Sequence, residues 1–228
     1  MAQREGLFGE DLAASLGAWQ VAPGLPLITL VIGLLWDLPA IVGGAGVIIS
    51  LPALFVLAGW SGTQRVWYLR LFRGKTLERG ELWPMTSNFM GRFVVLGLLA
   101  GIPFALVIVP VSFAVHGAAA RALVYIPFVF VLDFMGTFIT PALAFTTRSS
   151  IEAIGIGWRT LWDGWPATAP YALVAPLVVI AVGQVLGRAF GGGGVVLTVF
   201  GTLLSLWFKG ATAGYYLRHH RVPDSGAT

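Results

Sequence analysis

The chain contains no cysteine, which excludes disulfides, thiolate metal sites and cysteine nucleophiles together. Charge is scarce as well. Asp, Glu, Lys and Arg make up 11% of its 228 residues, less than half of the roughly 25% usual in a soluble domain. There are three histidines, His116, His219 and His220. None has Asp, Glu or Cys nearby at ligand spacing, so no metal site is expected. No phosphate-binding loop, serine elbow or metalloprotease helix is present. The GGGG run at 191–194 has no strand before it and reads as a turn. These absences give the expectation of a non-enzyme without a cofactor.

What the chain has is apolar surface, with 57% hydrophobic residues. From Leu25 onward it is built of apolar runs of about 18–30 residues, and a helix of about 20 suffices to cross a bilayer. The sequence predicts an all-α, polytopic bundle of six transmembrane helices at about 24–42, 44–69, 88–114, 120–147, 167–187 and 194–217. Gly43, Gly44 and Gly46 supply the first tight turn. Six spans leave no length for a separate soluble domain, so residues 1–228 form a single integral membrane domain. The N-terminal stretch lacks the basic start and continuous apolar core of a cleavable signal. The first span is therefore expected to act as the insertion signal.

Alternate gaps carry the cations. One side holds Arg4, Arg65, Arg70, Arg73, Lys75, Arg79, Arg92, Arg148, Arg159, Arg218 and Arg221; the other holds Arg121 and Arg188. That bias predicts both termini on the cytoplasmic side of a bacterial inner membrane. It also accounts for the net charge of +4 without nucleic acid. Trp60, Trp67, Tyr68, Trp158, Trp162, Trp165, Tyr215 and Tyr216 flank span ends, where such rings favour the headgroup level. Anchoring is the expected role, ahead of a ligand cage.

Three amphipathic segments each precede a pair of spans. Phe8, Leu12, Leu16 and Trp19 recur at helical spacing in the first. Pro84 breaks up the second, ERGELWPMTSNFMGRF. In the third, Ile151, Ile154, Trp158, Leu161, Trp162 and Trp165 share one face, Ser149 and Glu152 form a capping box, and Arg159 and Asp163 can pair. All three suit interfacial helices. Glu10, Glu81 and Glu152 are spaced 71 residues apart each time. The repeated order predicts three tandem units, at 7–75, 76–147 and 148–221.

The stretch FITPALAFTTRSSIEAIGIGWRTLWDGWP (138–166) and the closing AGYYLRHHR (213–221) resemble bacterial six-span membrane proteins of uncharacterised function. Those are similar to the membrane domain of some glycerophosphodiester phosphodiesterases and to YciC-like proteins. Trp158, Trp162, Tyr215, Tyr216 and Arg218 match that pattern in kind. The resemblance implies a six-span fold, without the soluble phosphodiesterase domain and its acidic metal ligands.

Ionisable residues at membrane depth are functional candidates. Asp133 in VFVLDFMGTF, Lys209 in LSLWFKGATAG and Asp37 in GLLWDLPAIV are the three. Spans four and six run in the same direction, which brings Asp133 and Lys209 to similar depth. They either play a structural part, closing as a buried ion pair or with Lys209 snorkelling toward the interface, or serve a proton relay or substrate counter-charge, the structural part being the weightier expectation. Asp37 caps or hydrates the outer end of its helix. Gly97/Gly101, Gly183/Gly187 and Gly210/Gly214 make GxxxG pairs that allow close helix approach. Prolines at 39, 52, 103, 110, 127, 141, 170 and 176 should kink or end spans.

The basic loop, with Arg65, Arg70, Arg73, Lys75 and Arg79 among Trp67, Tyr68, Leu71 and Phe72, is the expected surface for anionic lipid headgroups or a membrane-protein partner. Two functions follow. The first is a scaffold or accessory subunit of a membrane assembly. The second is a small-solute or proton-coupled transporter using Asp133, Lys209 and Asp37.

Overall fold

The computed structural model describes residues 8–38, 43, 46–189 and 194–222. Among these the protein is all-helical: α1 (Phe8–Val21), α2 (Gly24–Trp36), α3 (Val47–Phe72), α4 (Arg79–Ala114), α5 (Ala118–Phe145), α6 (Ser150–Asp163), α7 (Ala169–Ala189) and α8 (Val195–His219). Arg4, Pro39, Gly44, the end of the first expected span and most of the GGGG run lie outside the described residues.

Four helices are long and apolar enough to cross a membrane: α4, α5, α7 and α8. α1 and α2, which meet at a bend of 93°, count as a fifth if the pair is one span. This is consistent with a multi-pass membrane protein. α3 is not among the four; its second half carries Ser61, Thr63, Gln64, Arg65 and Arg70.

Two sequence expectations change. The second amphipathic segment is no separate helix: it forms the first turns of α4, which runs unbroken for 36 residues with Pro84 inside it. Glu78 and Glu81 form a reciprocal capping box that fixes the start. Pro84 then forfeits only the hydrogen bond to the carbonyl of Gly80, in the first turn. Nor do Pro52, Pro103, Pro110, Pro127, Pro141 and Pro176 end helices; each lies inside one.

The three most extensive helix contacts are α4 on α3, α6 on α5, and α1 on α8. Each amphipathic segment thus begins a helix that packs against the last span before it, and α1 closes the series by packing against the last helix. α1, α4 and α6 begin at Phe8, Arg79 and Ser150, and Glu10, Glu81 and Glu152 are each the third residue of a helix. The recurring glutamates therefore mark one recurring place, a helix N-terminus, where an acidic side chain is stabilised by the helix dipole. At α6 the expected capping box is half made. Ser149 Oγ accepts from the Glu152 amide at 3.3 Å, while the Glu152 carboxylate turns to the Thr147 hydroxyl.

Small residues let these pairs approach. A Cβ on Gly157 of α6 would lie 2.5 Å from the backbone of Ile139 on α5, and one on Gly210 of α8 would lie 2.0 Å from Ser15 Oγ on α1. Of the GxxxG pairs, only Gly210/Gly214 sits tightly against another helix; Gly97, Gly101 and Gly187 face open space. Gly157→Leu is expected to destabilise by about 1–3 kcal/mol through overpacking. Gly101→Leu should leave the thermal midpoint in detergent within error of the parent, and equal losses from the two would refute this packing.

α6 packs on α5 through Ala153, Gly157 and Thr160, leaving Ile151, Trp158, Trp162 and Trp165 exposed as an apolar stripe. No ion pair joins Arg159 and Asp163 among the described residues. Not every expected anchor lies at the surface. Trp60, Trp67, Tyr68, Tyr215 and Tyr216 are buried in the bundle, where Trp60 Nε1 donates to Thr29 and the Tyr216 hydroxyl is bonded to Thr146.

The core occupies one end. Buried residues concentrate in Trp60–Leu69 of α3, Phe138–Phe145 of α5 and Leu206–Tyr216 of α8, the ends that carry the basic gaps. Toward the other end the helices expose Ile48, Leu106, Phe113 and Leu123, each by more than 70%. Tight packing at the basic end and splayed apolar helices beyond it place the site between them.

Candidate functional site

Between α3, α5, α7 and α8, at the margin of the packed end, lies a cavity of about 250 Å³. Arg65, Asp133 and Lys209 line it, with Thr137, Thr140 and Ser205 as neutral polar neighbours. Asp133 and Lys209, expected at matching depth, do share this space. They do not close on each other: no contact ion pair joins them among the described residues, and Lys209 Nζ instead donates to Gln64 Oε1 at 3.4 Å.

Gln64 is held in turn. Its amide donates to Thr29 Oγ1 at 3.1 Å, which also accepts from Trp60 Nε1 at 2.9 Å and donates to the Leu25 carbonyl at 2.7 Å. A polar chain thus runs from α8 through α3 to α2 and fixes the ammonium at the cavity wall.

Arg65 is placed differently from its sequence neighbours. The sequence groups it with the basic loop, but it is 4% exposed and its Nη2 donates to Thr140 Oγ1 on α5. Its Nε and Nη1 have no hydrogen-bond partner. A guanidinium carries five donors and no acceptor, so a buried one left half-bonded is costly. The cavity wall thus holds two cations and one carboxylate, a formal excess of one positive charge.

The remaining basic residues stay at the surface. Arg70 pairs with Glu81 at 2.6 Å and Arg73 donates to the Val222 carbonyl at 2.7 Å, while Lys75 and Arg79 are exposed. Asp37 lies apart from the cavity. Its carboxylate accepts from Thr198 Oγ1 on α8 at 2.6 Å and ties the end of α2 to the start of α8.

A second polar cluster escapes the sequence reading. Asp11 on α1 is 3% exposed and accepts from both Nη atoms of Arg218 and from the Tyr171 hydroxyl. Beside it, Ser15 Oγ donates to the Trp207 carbonyl at 2.9 Å, Trp207 Nε1 to the Leu12 carbonyl at 2.7 Å, and Trp19 Nε1 to Tyr68 Oη at 2.6 Å. The apolar periodicity of α1 did not mark Asp11: the buried line of the helix is Asp11, Ser15 and Ala18, beside Phe8 and Leu12, while Leu16 is exposed. This clasp is saturated and has no room for a ligand.

The histidines form no ligand set, and no cluster suited to a metal ion occurs among the described residues. His220 stacks on Tyr216, its ring centroid at 4.1 Å, and bonds Thr160 Oγ1 at 3.1 Å. Burial first and the neighbouring His219 second hold it below the ordinary imidazole range.

Of the two arrangements, only the cavity sets unfilled hydrogen-bonding capacity beside open volume, the unbonded Arg65 nitrogens lying just beneath its wall. Its wall brings together a guanidinium, an ammonium on a tether and hydroxyls, groups that suit an anion. Comparison with family models, curated proteins and solved structures finds no match.

Proposed function

We propose that the chain is a six-span membrane protein with both termini cytoplasmic that takes an anionic compound into an intramembrane cavity, as a carrier or a site of presentation. The observation that carries this is that Arg65, Lys209 and Asp133 line one cavity with no contact ion pair among them in the described residues, while two nitrogens of Arg65 stay unbonded. Charges removed from water need close partners when their role is only to hold helices together. Leaving Arg65 half-bonded is a stability cost, and such costs cluster where a ligand completes the site. The cavity therefore favours the transport alternative over a scaffold. The cation bias supports the orientation and puts the cavity in the cytoplasmic half of the bilayer.

The absence of cysteine makes a direct test simple. Thr137→Cys and Ser205→Cys each place one thiol on the cavity wall; Leu106→Cys places one on an exposed apolar face. With a charged, membrane-impermeant maleimide, the two cavity thiols are expected to react in inverted membrane vesicles and the Leu106 position to stay unlabelled. Unreactive cavity thiols in both vesicle orientations would leave a sealed bundle and return the scaffold reading. Labelling only from the outer face would overturn the topology.

A further inference from the structure

Next to the polar cavity lies a second, larger space of about 940 Å³ between α3, α4 and α5, walled almost wholly by apolar side chains such as Leu57, Leu99, Phe104 and Phe128. The two spaces adjoin: Ser61, Phe93, Leu132, Asp133, Gly136 and Thr140 line both. The volume is at the upper end of the roughly 300–1,000 Å³ typical of sites for drug-sized ligands.

A small hydrophilic anion would use the first space and leave the second unexplained. An amphiphile uses both. We propose that the ligand is an acidic phospholipid, with its phosphodiester at the cavity wall beside Lys209 and the Arg65 guanidinium, and its hydrocarbon chain in the groove between α4 and α5. The inference rests on the anion-receiving cavity and names what enters it. Charge complementarity selects the headgroup: two cations and one carboxylate leave one net positive charge, which matches a monoanionic phosphodiester. A zwitterionic lipid adds an ammonium that Lys209 and Arg65 repel and that competes with them for the single carboxylate, Asp133. The guanidinium fork matches two phosphate oxygens, a geometry that a lysine at the same place lacks.

Gly136 lies at the junction, and a Cβ there would meet nothing within 4 Å. Gly136→Leu therefore adds bulk where the two spaces adjoin, starting from a Cβ that meets no neighbour, and leucine is also the better helix former.

The test is thermal unfolding of the purified full-length protein in a neutral detergent, with added phosphatidylglycerol, phosphatidylcholine or inorganic phosphate. Native mass spectrometry counts retained lipid in parallel. Phosphatidylglycerol at about one hundred times its dissociation constant is expected to raise the midpoint by roughly 5–10 °C, with one lipid retained. Phosphatidylcholine and phosphate should do neither. In Gly136→Leu and in Arg65→Gln the shift is expected to disappear.

Equal shifts from both lipids would mean nonspecific lipid contact and overturn the proposal. An equal shift from inorganic phosphate would overturn the amphiphile while leaving an anion-receiving cavity intact. A full shift retained in Gly136→Leu would also overturn it. If the cavity thiols are unreactive as well, the failure lies with the cavity; if they react, it lies with the lipid alone.

Discussion

Arg218→Met is expected to cost about 3–5 kcal/mol of stability, the range for leaving one partner of a buried ion pair uncompensated. Asp11 is the partner left behind. At 3% exposure it has no route to water, whereas Arg218 at 40% does. The clasp is therefore asymmetric. Asp11→Asn should cost less, because the guanidinium can turn to solvent and an amide oxygen can still accept from Tyr171. The double variant Asp11→Asn, Arg218→Met should recover part of the loss, a coupling that only direct contact produces. The same bonds hold α1 on α8, so Arg218→Met should also open α1 at its bend with α2 and speed limited proteolysis near Val21–Gly24. If Arg218→Met were no worse than Asp11→Asn and proteolysis were unchanged, α1 would be held by its apolar contacts alone.

Arg65→Met is expected to act in the opposite direction. Removing a buried guanidinium with two unpartnered nitrogens relieves an unsatisfied polar group, worth about 1–3 kcal/mol. It also removes the like charge facing Lys209 across the cavity. The lost bond to Thr140 is offset in part, since that hydroxyl retains the Gly136 carbonyl at 3.2 Å. The ligand-free variant should therefore unfold at a higher temperature than the parent while losing its response to acidic lipid. A variant that gains stability and loses binding identifies a residue kept for function. Arg65→Lys should keep the charge but lose most of the binding, because an ammonium cannot present two parallel donors. An Arg65→Met protein less stable than the parent would make Arg65 a structural strut between α3 and α5.

The two residues behind these predictions were read poorly from sequence, for the same physical reason. Arg65 falls among six cations whose topology bias explains them collectively, so nothing sets it apart until α3 is seen to bury it against Thr140, 75 residues further on. Asp11 meets Arg218 across 207 residues, and no local pattern encodes that closure. Of the kinks or ends expected at the prolines, the ends did not occur, because a helix loses one bond at each and the rest of its ladder holds. Periodicity and composition did locate what depends on neighbours in the chain: the apolar runs, helices at the segments that form α1 and α6, and the glutamates near the starts of three helices. Matching depth brought Asp133 and Lys209 to one cavity. Depth says nothing of rotation about the helix axis, which is why they share a space without forming the ion pair the sequence allowed.

A density map of the protein in phosphatidylglycerol nanodiscs shows whether the cations of the cavity receive a lipid anion. A phosphate is expected beside the Arg65 guanidinium and Lys209, with chain density running past Gly136 into the groove between α4 and α5. A contact ion pair between Asp133 and Lys209, Arg65 bonded fully within the protein, and α4 closed against α5 would contradict it.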